Sequence, residues 1–374
     1  MNRSMPALLR GSGPLLGLLV TYGLFACTAG STFTSLGNLE LMLLQTAVVG
    51  IAALGATWVI LSGGIDLSVG STIAVSGMVG ALALRSGSSW WSAMLISIAV
   101  GGGIGGLIGT MVTGAMVRTL LSLAAGSAVL LALPHAPPGD LPNQAAGAWP
   151  PLLRAALTLG AAAAAWRLSR RITWSLPLSP FIVTLGAFGA LRGLAKGLGG
   201  NQPVYFPRNE ALASWMLPGG LWLAPSVWLL LAATTGAAVL LRRTVFGRHA
   251  LAFGANRQAA RLAGIDTKHI EISVYAIAGV CGGIAAVLQL SFLSMGDPTT
   301  AQGHELKAIA AAVIGGASLA GGSGSMFGTL VGALVMTVVD NGCTKLGLDN
   351  WVQEIATGAI IVGAVALDRW RQRS

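Results

Sequence analysis

The chain has 374 residues, 54% of them hydrophobic and only 9% charged, with a net charge of +10. That proportion of polar side chains cannot cover a water-facing globule of this size, so a soluble domain is excluded and a membrane protein is indicated. The basic excess does not point to nucleic acid, because Lys and Arg sit at the termini and in short segments between apolar runs, the positive-inside pattern.

Apolar runs long enough for a bilayer-spanning helix, roughly 20 residues each, recur near 14–30, 43–62, 67–84, 91–117, 179–198, 223–241, 271–293, 306–320, 326–346 and 350–367. Shorter runs lie at 119–134 and 151–166. All are continuous and rich in Leu, Ala and Gly, unlike the alternating segments of a β-barrel. Arg3 and Arg10 precede the first run, and Arg369, Arg371 and Arg373 follow the last. Between them, Arg242, Arg243, Arg248, Arg257, Arg261 and Lys268 fill the longest basic loop. Placing all three groups in the cytoplasm requires an even number of spans on each side of that loop. The expected fold is therefore an all-α polytopic membrane protein of about ten transmembrane helices with both termini cytoplasmic, and up to twelve if the shorter runs also cross. It is expected to be one transmembrane domain, 1–374, with a cytoplasmic loop at 242–270 and an atypical hydrophobic module at 119–171. The module has two apolar arms around the Pro-rich HAPPGDLPNQ; a spanning hairpin and a re-entrant or interfacial pair both fit.

In the first run, LFAC ending at Cys27 loosely resembles a lipoprotein cleavage site, but a polytopic protein needs a first span and this run supplies one. Cys27, Cys281 and Cys343 have no paired spacing and read as small buried residues, so neither a disulfide framework nor a metal site is expected.

Asp66, in GGIDLSVGS, is the only charged residue between Glu40 and Arg85. An ionised Asp at the centre of a spanning helix costs about 2.5 to 3.5 kcal/mol or more. The run 43–62 is already long enough to span, and Gly63 and Gly64 then break it. Asp66 thus falls where the next helix begins, where its carboxylate can accept the free amides of Ser68 and Val69 and meet the positive end of the helix dipole. Its first reading is a structural cap at the base of a transport path.

GGGIGG at 101–106 lacks the strand and soluble βαβ unit of a nucleotide site, so its glycines read as helix-packing residues. FIVTLGAFGALRGLAKGLGGNQPV, 181–204, holds Phe181 and Thr184, then Arg192 and Lys196 on one helix face, then Asn201 and Gln202 in a polar turn. The basic pair suits snorkelling, and the amides at a path mouth could bind hydroxyls. GANRQAARLAGI, 254–265, has Asn256 as N-cap, about two helical turns containing Arg257, Ala259, Ala260 and Arg261, and Gly264 at C′ before Ile265. Such a short capped helix, beginning after Gly254, suits either a partner surface or anionic lipid. In GHELKAIAAAVIGGASLAGGSGS, Glu305 and Lys307 open an apolar helix, as interfacial charges or as groups orienting a polar solute in a cavity; the glycines at 320–325 predict an unwound segment.

No catalytic set emerges. His135, His249, His269 and His304 are scattered, and no HExxH, Ser/His/Asp arrangement or GxxxxGK[ST] is present. The chain is read as a non-enzyme without a cofactor of its own.

Four stretches, GGIDLSVGS, FIVTLGAFGALRGLA, FGRHALAFGANRQAARLAGI and ELKAIAAAVIGGASLAGGSGS, together resemble the permease subunits of ribose-type monosaccharide ABC importers. Branched-chain amino acid permeases, a related group, are not marked by GIDLSVG. The resemblance covers the chain in order except for 119–171. It implies an inner-membrane permease, paired as a homodimer or heterodimer, with a periplasmic sugar-binding protein and a cytoplasmic ATP-binding subunit that carries ATP and Mg. It also implies that Gly254, Asn256, Arg257, Ala259, Ala260, Arg261, Gly264 and Ile265 form the helix that docks on the ATPase; Gly63, Gly64, Asp66, Ser68, Phe181, Thr184, Asn201, Gln202 and Glu305 are the candidates for the transport path or its structural motifs. The family's Asn-Gly pair late in the fourth span is replaced by Thr113-Gly114, and the link to Pro180 is interrupted by the module. Rival readings are an ion-coupled secondary transporter with Asp66 as its ion site, an ABC permease for a non-sugar polar solute, and a permease-like scaffold turned to assembly.

Overall fold

The computed structural model describes residues 13–115, 178–217 and 223–373, with scattered positions between 119 and 168. The chain divides into two units, Met1–Gly109 with Pro180–Ser374, and Thr110–Ser179. The described helices are α1 (Gly13–Ala29), α2 (Leu36–Leu61), α3 (Val69–Arg85), α4 (Trp90–Thr110), α5 (Pro180–Leu198) and α6 (Pro225–Arg243). They continue with α7 (Val245–Ala255), α8 (Arg257–Leu262), α9 (Thr267–Leu293), α10 (His304–Ile314), α11 (Met326–Lys345) and α12 (Asn350–Arg373). Single turns of helix at Ser31–Thr34 and Glu210–Ala213 join them, and one short antiparallel pairing, β1 (Val204–Tyr205) with β2 (Met295–Gly296), sets Val204 opposite Gly296. Six of the described helices are long and apolar enough to cross a membrane, and α1, α3 and the apolar part of α12 are shorter.

Helix α2 is the core of the larger unit. It packs against α6, α9, α10 and α11, and Ile51, Leu54, Trp58, Ile60 and Leu61 are all fully buried. Trp58 meets Phe246 of α7 with ring centroids 5.5 Å apart. The glycines of GGGIGG act as helix-packing residues: a Cβ on Gly101 would collide with the Gly279 carbonyl oxygen, and one on Gly105 with the Tyr275 carbonyl oxygen, so the α4 and α9 backbones touch.

Two expectations are corrected. The apolar run 306–320 is not a full span: α10 has 11 residues, about 16 Å long at 1.5 Å per residue, roughly half the hydrocarbon thickness. The unwound segment begins earlier than 320, because Gly315 packs its backbone directly on Gly328 and Gly316 has φ +92°, a conformation that ends the helix. In the basic loop 242–270 the short helix expected within 254–265 is present as α8, and α7 precedes it.

In the smaller unit, Met111–Ala115 is a π-helical turn with Gly114 at φ 83°. The glycine of the Thr113-Gly114 pair therefore occupies a left-handed position that favours Gly over any residue with a Cβ. The Thr110 and Thr119 hydroxyls are 2.9 Å apart. The central turn of the module, and most of its two arms, lie outside the described residues.

Candidate functional site

The short helix α8 is fixed at both ends by its own sequence. Asn256 Oδ1 accepts the Ala259 N–H at 2.9 Å, which is N-capping geometry. At the other end Gly264, φ +81°, donates to the Arg261 carbonyl at 3.1 Å and Ile265 donates to the Ala260 carbonyl at 3.1 Å. This bond pair is a Schellman closure. Thr244 caps α7 by accepting the Gly247 N–H at 3.2 Å, and Asp266 caps α9 by accepting the His269 N–H at 3.1 Å. Successive caps therefore set the turns of this segment.

Only Ala260 of α8 faces inward; Arg257, Gln258, Ala259, Arg261 and Leu262 are exposed. Arg257 lies 4.6 Å over the Phe253 ring and reaches Glu271 Oε1 at 2.6 Å. More than half of its side chain is exposed, so solvent screens that pair and its role is orientation. Leu262 is 89% exposed. The sequence reading, attentive to the charges, passed over Leu262.

Behind α8 three backbones meet without side chains between them. A Cβ on Gly254 would collide with the carbonyl oxygen of Leu61, and would stand 2.8 Å from the Gly322 nitrogen. A Cβ on Gly321 would stand 2.7 Å from the Gly254 carbonyl oxygen and 3.0 Å from Gly63. Gly322 donates its N–H to the Leu61 carbonyl at 2.9 Å. The end of α7, the end of α2 and the Gly-rich loop after α10 are thus joined at one junction.

Beyond Leu61 lies the break at 62–68. Gly63 takes φ +78°, and Gly64 abuts the Tyr275 hydroxyl and Val59. Asp66 Oδ1 accepts the Ser68 N–H at 2.8 Å and the Ser68 Oγ–H at 2.6 Å. No bond to the Val69 amide is formed, because Ser68 rather than Asp66 occupies the cap position. Thr184 of α5, fully buried, has its hydroxyl 3.1 Å from the Ile65 carbonyl and 3.0 Å from the Pro180 carbonyl. Gly63, Gly64, Asp66, Ser68 and Thr184 are therefore brought together.

The other residues expected on the path lie elsewhere. Phe181 is exposed on α5. Asn201 donates its backbone N–H to the Lys196 carbonyl at 2.8 Å and has φ 62°, so with exposed Gln202 it forms the turn that ends α5. Glu305 is buried at the start of α10, where Oε1 accepts the Gly303 N–H at 3.2 Å and Oε2 faces Gly70. Arg192 is not a snorkelling residue: Nη1 donates to the Pro298 and Thr300 carbonyls at 2.9 and 2.8 Å, pinning the loop before α10.

A cavity of about 320 Å³ with mixed polar and apolar walls lies between α2, α9, α10, α11 and α12, and Lys345 and Gln353 stand in its wall. Gln45, Gln289, His304 and the ion pair Lys307 to Asp340, 2.5 Å apart, line it together with Met216 and Phe292. Gln45 lies about 24 Å along α2 from Leu61, so the cavity and the glycine junction occupy opposite ends of that helix. Of these residues the sequence reading singled out only Lys307; amides isolated in apolar runs were the available signal for Gln45 and Gln289.

A family profile described as branched-chain amino acid transport system, permease component, matches residues 111–365. The ribose import permease protein of Escherichia coli (strain K12) is 32% identical over 361 residues, covering 96% of this chain and 93% of that protein. The xylose transport system permease protein of the same strain is 31% identical over 365 residues, 93% and 89% of the two chains. The ribose import permease protein of Bacillus subtilis (strain 168) is 31% identical over 360 residues, 96% and 92%. This chain belongs to that permease family. It is a transport subunit, not an enzyme, and a multi-pass inner-membrane protein. The resemblance to ribose-type permeases carried by the four motifs agrees with these relatives. No solved structure matches the permease.

Proposed function

We propose that this permease forms the membrane path of an ATP-driven importer for a monosaccharide, with α8 as the element that docks on a cytoplasmic ATP-binding subunit. The observation that carries the reading is the exposed, doubly capped α8 backed by the glycine junction at Leu61, Gly254 and Gly322. A push on α8 is delivered to the α2 break and to the loop after α10 together, because no side chain lies between these backbones to absorb it. ATP and Mg are held by the partner, a periplasmic sugar-binding protein delivers the solute, and a second permease copy or a paralogue completes the path. About ten crossings, counting α10 together with the unwound Gly-rich loop that follows it as one, with both termini cytoplasmic, fit the charge pattern. The relatives named for ribose and xylose supply the solute class, and Asp66 serves as a structural hydrogen-bond acceptor at the break.

The test is uptake in vesicles containing the permease, its ATP-binding subunit and its binding protein. ATP-dependent accumulation of D-ribose or D-xylose is expected. Uptake that proceeds without the ATP-binding subunit on an ion gradient would overturn the reading, as would ATP-dependent uptake of leucine with no sugar transported.

A further inference from the structure

We infer that the cavity lined by Gln45, Gln289, Lys307 and Asp340 is a binding subsite for the hydroxyl groups of a neutral monosaccharide on its way through the permease. This rests on the importer reading above and adds to it a place and a set of residues.

The chemistry of the wall selects the solute. Each Gln amide offers both donors and an acceptor, as a sugar hydroxyl does, so the two match without a net charge on either side. Lys307 Nζ and Asp340 Oδ2 neutralise one another at 2.5 Å, so the remaining charge in the wall is that of Lys345, exposed at the end of α11. The Lys307 and Asp340 side chains remain 23% and 20% exposed, leaving ammonium hydrogens for a ligand. Asp340 Oδ1 and His304 Nδ1 are buried and have no hydrogen-bond partner among the described residues. Unpaired polar atoms inside a membrane protein are costly, and a solute hydroxyl would satisfy them. Phe292 and Met216, with Leu41 and Val48, add apolar surface of the kind that receives the C–H face of a sugar ring.

Position supports the same use. The cavity includes the first turn of α10, and the far end of that helix leads into the Gly-rich loop bonded to Leu61. Helix α10 therefore connects the solute-lined end of the bundle to the junction behind α8, so a sugar held at Lys307 lies against an element that movement of α8 would shift.

The experiment compares the complete importer with Gln45→Leu, Gln289→Leu and Asp340→Asn permeases in vesicles, using D-ribose and D-xylose as probes. Each Gln variant is expected to lower sugar uptake about three- to tenfold, the effect of losing one buried hydrogen bond. The ratio of D-ribose to D-xylose uptake is also expected to change, which a general loss of folded protein would leave unaltered. Asp340→Asn disrupts the ion pair and is read only if its thermal stability in detergent matches wild type; the Gln variants decide the matter regardless. Wild-type rates and an unchanged sugar ratio in both Gln variants would overturn the subsite while leaving the importer reading intact. If wild-type vesicles accumulate neither sugar with ATP, the importer reading fails and the subsite with it.

Discussion

The Leu61 carbonyl oxygen accepts the Gly322 N–H at 2.9 Å, and the Cα of Gly254 packs against the same oxygen. This bond ties the last residue of the most buried helix to the loop that follows α10. Leu61 also precedes the break that holds Asp66, so the contact connects two interruptions in the helical bundle with the segment that carries α8. Gly63, Gly321 and Gly322 take positive φ here, at +78°, +87° and +76°. The glycine content of these motifs thus has two physical causes, close backbone approach and left-handed turns.

Gly254→Ala is expected to disturb coupling more than packing elsewhere. Its Cβ would meet backbone atoms of Leu61 and Gly322, which cannot rotate away, and overpacking of this kind costs about 1–3 kcal/mol. Uptake should fall about tenfold or more, with hydrolysis by the partner no longer stimulated by the loaded binding protein. Gly17→Ala, where an added Cβ meets nothing within 4 Å, is the control and should transport normally. Normal stimulated hydrolysis and uptake in Gly254→Ala would show that the junction transmits nothing.

Leu262→Asp should weaken association with the ATP-binding subunit about tenfold or more, since burying a Leu side chain is worth about 1.5–3 kcal/mol. Because Leu262 is 89% exposed, the thermal stability of the isolated permease should shift by no more than about 0.5 kcal/mol. Asn256→Ala acts differently: losing the cap on Ala259 costs about 1 kcal/mol locally and should reduce both α8 order and affinity. Co-purification and titration of the two subunits in detergent measure both. Undiminished affinity in Leu262→Asp would place the docking surface elsewhere.

What the sequence made legible here follows from range. The caps at Asn256 and Gly264 are chemistry between residues three to five apart, and their bonds are present in the structure. Asp66 was readable as an acceptor at a helix start, although its partner is Ser68 alone. Helix α10 was overestimated because hydropathy continues through Gly315 and Gly316 while the backbone does not. The cavity was not legible, since Gln45, Gln289 and Asp340 come from three helices far apart in the chain. Arg192 was misread for the same reason, as its partners lie more than a hundred residues away.

Arg192→Gln should loosen the loop before α10. Its guanidinium holds two carbonyls, those of Pro298 and Thr300, and charge-assisted bonds of this kind contribute about 1.5–3 kcal/mol each. Gln reaches less far and carries no charge, so faster hydrogen exchange is expected at residues 297–303, with little change at α8. Exchange at wild-type rates throughout 297–303 would show that the loop holds its conformation without Arg192.

Substitution of Asp66 separates a structural acceptor from an ion site. Asp66→Ala leaves the Ser68 N–H and hydroxyl without their acceptor in a buried break, at a cost of about 1–3 kcal/mol. Asp66→Asn keeps a carbonyl oxygen that can accept one or both bonds, so its loss should be smaller, and thermal stability in detergent should fall in the order wild type, Asn, Ala. ATP-dependent uptake should follow that order and remain insensitive to a protonophore in all three proteins, because the break at Gly63 and Gly64 needs an acceptor at position 66 and not a titrating proton. Uptake in the wild type that collapses with the proton gradient, and is already absent in Asp66→Asn despite normal stability, would make Asp66 a coupling site instead.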